Sequence, residues 1–138
     1  GPIDALRPGR RLKASGGRED RPGLIATGSM VRTALRIAND RDLAVWSAPS
    51  LKPLLIDDVC AAASASHGLV TLEEHSVLGG LGAAVAEMVA EHQPTRVLRI
   101  GVPDRFSAHC GTYDYLLREH GLDEAAVARR IDGFIASV

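Results

Sequence analysis

The chain has 138 residues, 46% of them hydrophobic, and its 16 Lys and Arg nearly balance 17 Asp and Glu for a formal charge of −1. That is the size and make-up of one domain able to bury its own core, which argues against extended disorder and coiled coil. A near-neutral surface supplies no field for phosphate backbones or anionic lipid, so generic nucleic-acid binding is not expected.

Cys60 and Cys110 are too few and too far apart for a disulfide framework, and no CxxC pair offers a zinc half-site, so a reducing, cytoplasmic setting is expected. Apolar runs are broken by charge or glycine well before the roughly 18 residues of a membrane span, and no leader pattern is visible. Gly1-Pro2 is the pair a cleaved purification tag leaves behind, and we set it outside the fold.

Residues 3 to 22 are rich in Arg, Gly, Pro and Asp and read as a connecting arm, with Arg11-Leu-Lys-Ala14 as an edge strand. The domain proper is expected over 23–138. Gly23-Leu-Ile-Ala-Thr27 reads as a strand, Gly28-Ser29 as a turn with Ser29 as helix N-cap, and Met30, Ala34, Leu35 and Ala38 recur at helical spacing. The cycle repeats with strand Leu43-Ala-Val-Trp-Ser47, a loop holding Pro49 and Pro53, and a helix from about Asp57 to His67-Gly68. Its Val59, Cys60 and Ala63 are placed in the core.

In the third cycle, strand Leu69-Val-Thr-Leu72 runs into Glu73-Glu-His75 and a Gly79-Gly-Leu-Gly82 turn. A helix follows with Leu81, Ala84, Val85, Met88 and Val89 on one face. A fourth strand, Arg96-Val-Leu-Arg-Ile100, leads into the polar loop Gly101-Val-Pro-Asp-Arg-Phe106. Short helices over 113–120 and from the N-cap Asp123 close the chain, the last with Val127, Ile131, Phe134 and Ile135 on a stripe.

Strands alternating with helices predict an α/β fold: three layers around a mostly parallel sheet of about five strands, one of them an antiparallel edge. Ligands and partners of such sheets meet the carboxyl ends of the strands, here Thr27–Met30, Ser47–Ser50, Glu73–Leu78 and Gly101–Phe106.

Gly79, Gly80 and Gly82 open a helix, where backbone N–H groups can hold an anion or simply let the helix pack closely. The run lacks the GxGxxG fingerprint because Val85 stands at its last position, which favours packing. Glu73, Glu74 and His75 put two carboxylates and an imidazole at a strand end, suited to acid–base work or to a structural bond. In an extended strand Glu73 and His75 would share a face. Asp104 and Arg105 can pair or hold an anion. His109 and Cys110 read as loop residues, and the arm's arginines as solvated charge.

Five segments together resemble the C-terminal domain of transketolase: Leu24-Ile-Ala-Thr-Gly-Ser-Met-Val31, Ser50-Leu-Lys-Pro-Leu54, Val70 through Glu87, Arg99-Ile-Gly-Val-Pro-Asp-Arg-Phe106, and Gly111 through Asp123. Leu55 departs from the acidic residue usual there. Deoxyxylulose-phosphate synthases and the beta subunits of 2-oxo-acid dehydrogenases share this domain. The Gly111-Thr-Tyr-Asp-Tyr-Leu-Leu117 segment looks more like transketolase.

The resemblance implies two-carbon ketol transfer between sugar phosphates by a complete assembly holding thiamin diphosphate and Mg2+. It also implies that the cofactor belongs to an N-terminal domain marked by Gly-Asp-Gly and to a pyrimidine-binding middle domain; no Gly-Asp-Gly occurs in this chain. Those domains, in the same chain or a separate subunit, are the expected partners, within a homo- or hetero-oligomer and with neither nucleic acid nor membrane. No catalytic, metal or cofactor-binding residue is therefore expected here. Glu73, Glu74, His75, Gly79, Gly80, Gly82, Ser29, Asp104 and Arg105 are read as interface or anion-site residues. The alternatives are a free-standing phosphate- or nucleotide-binding regulatory module, or the same domain from a deoxyxylulose-phosphate synthase or a 2-oxo-acid dehydrogenase.

Overall fold

A computed structural model describes residues 10–11, 18–28, 30–47, 56–76, 80–102 and 123–137. The expected features at Leu12–Ala14, Ser29, Pro49–Leu55, Gly79, Asp104–Cys110 and the 113–120 helix lie outside them.

Among the described residues the strands are β1 (Arg10–Arg11), β2 (Gly23–Ala26), β3 (Ala44–Ser47), β4 (Leu69–Ser76) and β5 (Val97–Val102). The helices are α1 (Met30–Arg41), α2 (Ile56–Ser64), α3 (Leu81–His92) and α4 (Glu124–Ser137). The sheet order is β1-β3-β2-β4-β5. β2 pairs in parallel with β3 and β4, and β4 with β5, while β1 runs antiparallel to β3 with Arg10 opposite Ser47. The predicted α/β architecture, with its mostly parallel sheet and antiparallel edge, is what is found.

Right-handed crossovers explain which helix lies on which face. From β2 the chain moves outward to β3, so α1 lies on one face; it then passes back across β2 to β4 and on to β5, which puts α2 and α3 on the other. Two cores result. Leu24, Ala26, Val45, Val70, Leu72 and Ile100 face Ala34, Ile37 and Ala38 of α1 and Val127, Ile131 and Phe134 of α4. Ile25, Trp46 and Leu69 face Val59, Ala62 and Ala63 of α2 and Leu81, Val85 and Val89 of α3. Each fully buried Leu, Ile or Val contributes about 1.5–3 kcal/mol relative to exposure.

Three details differ from the sequence reading. α2 stops at Ser64 rather than near Gly68, because a turn through Ser66 carries the chain to Gly68, whose φ of +100° swings it into β4. Cys60 is only half-buried, since Val59, Ala62 and Ala63 fill the buried face of α2. In α1 the buried stripe takes in Ile37, with Leu35 packed at its margin. The tight α1–β3 connection is closed by Asp42 at φ +54°, a conformation that short polar side chains tolerate. The Arg18 N–H donates to its carbonyl at 2.9 Å.

On the α1–α4 face, ion pairs fasten the two helices: Arg36 to Glu124, and Arg41 to Asp132 with Nε–Oδ1 at 2.6 Å and Nη2–Oδ2 at 3.1 Å. The Arg41 hydrogen bond holds the Asp132 carboxyl below the usual carboxylate range. Asp132 is 54% exposed and Arg41 22% exposed, so solvent screens the pair and about 0.5–1 kcal/mol is its reach. A double-mutant cycle with Arg41→Ala and Asp132→Asn should return a coupling of that size. It should be complete above Asp132's unfolded-state pKa and vanish as pH falls through the lower folded-state value. At Gly68 an added Cβ would meet Phe134 Cε2 at 2.9 Å, besides the positive φ. Gly68→Ala should therefore lower the urea midpoint by an amount worth about 1–3 kcal/mol.

Candidate functional site

The chain leaves β2 towards β3 but leaves β4 towards β5, so the connections diverge between these neighbouring strands, and in open α/β sheets that point marks the crevice where ligands meet the carboxyl ends. The Thr27 N–H donates to Leu72 O across this point at 3.1 Å. Beyond it lies the end of β4, where the sequence reading put its densest set of polar candidates.

β4 alternates as a strand should: Val70 and Leu72 enter the α1–α4 core, while Leu69, Thr71 and Glu73 face α3. Two of those three are polar in a fully buried position, with Thr71 at 0% and Glu73 at 2% exposure. The explanation lies in α3. Its N-cap, Gly80, has no side chain with which to satisfy the first-turn N–H groups. The carboxylate of Glu73 does so from the strand, Gly82 N–H donating to its Oε2 at 2.6 Å. The positive end of the helix favours an acidic side chain there.

Such closeness requires glycine. A Cβ on Gly82 would stand 2.9 Å from Thr71 Oγ1, 3.0 Å from Arg99 Nε and 3.1 Å from Arg99 Cγ. Arg99 of β5 sits opposite Thr71 in the ladder, so α3 rests its first turn on this strand pair. Thr71 Oγ1 is buried and has no hydrogen-bond partner among the described residues.

Just past Glu73 the β4–β5 ladder loses its regular step. Glu73 pairs with Gly101 and Ser76 with Val102, so one step on β5 spans three on β4 and leaves Glu74 and His75 as the extra residues. The regular pairing of β4 with β5 therefore stops at Glu73. Of the predicted site residues, the structure brings together Glu73, Gly80 and Gly82, and places Glu74 and His75 by their backbone in the same strand end. Ser29, Gly79, Asp104 and Arg105 fall outside the described residues. Thr71 and Arg99 escaped the sequence reading; the signal was a polar residue interrupting an apolar alternation in two successive strands.

This corner is ill-suited to hold thiamin diphosphate, because the N–H that a diphosphate would seek already binds a buried carboxylate, which would repel it. Among the described residues no group of three or more His, Cys, Asp and Glu is placed to hold a metal, and no helix is long and apolar enough to cross a membrane. An open polar groove of about 340 Å³, between Ser64, Ser66 and His67 on one side and Gln93, Thr95 and Arg96 on the other, lies at the amino ends of the strands, away from the crevice.

Comparison with known proteins agrees with this architecture. Residues 18–127 match the family model of the transketolase C-terminal domain, and the chain belongs to that family. It is 45% identical over 140 residues to the 1-deoxy-D-xylulose-5-phosphate synthase of Chlorobium phaeovibrioides, covering 94% of this chain and 21% of that enzyme. Against the synthase of the same name from Cupriavidus necator it is 45% identical over 112 residues, 80% of this chain and 17% of the enzyme. Among solved structures, a "Split gene transketolase, inactive beta4 tetramer" superposes with a TM-score of 0.81 at 33% identity, covering 95% of this chain and 44% of that one. The chain thus spans about a fifth of the length of these curated relatives.

Gly82→Ala drives a methyl into Thr71 and Arg99 and lifts α3 from β4. It should destabilise the chain by about 1–3 kcal/mol in urea titrations, whereas the neighbouring half-exposed Ala83→Gly should cost under about 1 kcal/mol.

Proposed function

We propose that this chain is the C-terminal domain or small subunit of a thiamin-diphosphate-dependent enzyme of the transketolase family, and that it works through interfaces rather than through catalytic groups of its own. The observation that carries this reading is the Glu73–Gly82 bond: among the described residues, the Gly82 N–H at the start of α3 is taken by a side chain of the same domain and is not open to an anion. That arrangement speaks against the free-standing phosphate-binding module, for which titration with sugar phosphates and nucleotides should give no heat.

For the complete enzyme we assign synthesis of 1-deoxy-D-xylulose 5-phosphate in place of the ketol transfer first expected. The support is relatedness, since the synthases reach 45% identity and the split transketolase 33%. Thiamin diphosphate, with Mg2+, would supply the carbanion chemistry from the other domains. This chain's part is to present the Glu73–Ser76 end of β4 and its neighbouring strand ends to the cofactor- and pyrimidine-binding domains. An interior-like contact of that kind accounts for polar residues gathered at a strand end. The inactive tetramer named for the split transketolase is in keeping with an assembly that needs further domains to turn over.

The test is a graft. The Chlorobium phaeovibrioides synthase, cut back to remove its own matching segment, should lose activity and recover it when this chain is fused in that place, with deoxyxylulose phosphate measured by mass spectrometry. Recovery of ketol transfer instead would reassign the reaction, and no recovery in a folded graft would reject the reading. Within an active graft, His75→Ala should weaken assembly about tenfold while turnover per assembled complex changes less than about threefold, as for a contact residue at a buried interface. Full assembly with lost turnover would make His75 catalytic.

A further inference from the structure

A two-residue excess in a strand gives up ladder pairing for those residues, which here are flanked by the Glu73–Gly101 and Ser76–Val102 pairs. In β4 that excess, Glu74 and His75, begins at once after Glu73. Glu73 is doubly fixed: its backbone is in register with Gly101, and its buried carboxylate accepts the Gly82 N–H nine residues ahead. The bond thus ties the residue just before Glu74 and His75 to the first turn of α3. The base itself is closely packed, since Gly82 lies against Thr71 and Arg99 with no room for a side chain.

We propose that Glu73 is a positioning residue: through its bond to the first turn of α3 it holds the Glu74–His75 bulge in a single conformation. The consequence for assembly, that this sets how the rim meets the other domains, rests on the interface reading above. Reach and acceptor character are both required. Glutamine keeps the length and one acceptor oxygen; alanine keeps neither.

Amide hydrogen exchange and the amide spectrum of the 138-residue chain test this directly. In Glu73→Ala, exchange at Gly82 and at residues 74–76 should rise about tenfold or more, while Leu69–Thr71 stay within about twofold, the signature of a local opening. Glu73→Gln should restore most of the protection, yet move the Gly82 amide proton upfield, because a neutral oxygen is the weaker acceptor. Equal acceleration along all of β4, or none at residues 74–76, overturns the proposal. Should the alanine variant not fold, an unmoved Gly82 proton in Glu73→Gln overturns it as well.

In the active graft, Glu73→Ala should weaken assembly and Glu73→Gln should restore it. A bulge loosened without effect on assembly, beside a weakened His75→Ala, overturns the claimed consequence. His75→Ala assembling normally would instead remove the interface reading, leaving the exchange data to decide the role of Glu73 on their own.

Discussion

The seating of α3 on the end of the β4–β5 pair is the constraint on which the rim depends. A helix normally stands off a sheet by the thickness of its side chains. Here the first turn of α3 comes in at a glycine, close enough for a strand carboxylate to bond its backbone at 2.6 Å. One contact thereby satisfies an orphan helix donor and gives a buried acidic side chain a partner, just where the strand's regular ladder is interrupted. Loosening it would affect packing, charge and register together.

The architecture was legible because each strand and helix carried its own period. Apolar runs at Leu24–Ala26, Val45–Trp46 and Leu69–Leu72 separated helical stripes, and the order of units defined a parallel sheet with two helical faces. The site was only half legible. Of the glycine run, Gly82 packs closely, but what packs there, Thr71 and Arg99, is set by the pairing of β4 with β5, and no local pattern reports that register. Likewise Glu73 and Gly82 are nine residues apart, so their bond is invisible to any strand or helix period. The end of α2 was misjudged because Ser64–Ser66 neither breaks a helix outright nor sustains one.

Membership of the transketolase C-terminal family defines the fold and a set of relatives several times longer than this chain. A fold of this class hosts many chemistries, and function has to be argued from sites. Among the described residues, the base of this rim at the end of β4 is polar and buried, and its Glu73 closes onto the first turn of α3. Those are properties of a surface built to be rigid, whereas a pocket that binds and releases a small anion keeps its donors open.

The two-residue strand β1 has a consequence of a different kind. Because it is antiparallel, with Arg10 opposite Ser47 at the carboxyl end of β3, the amino end of β1 lies at the same edge of the sheet as the end of β4. Anything tethered there is delivered to that side at a high effective concentration, which a short linker can hold in the millimolar range. A contact surface too weak to recruit a partner from solution would then be filled almost continuously by a covalent neighbour. The same surface on a separated subunit would have to be intrinsically stronger to reach equal occupancy.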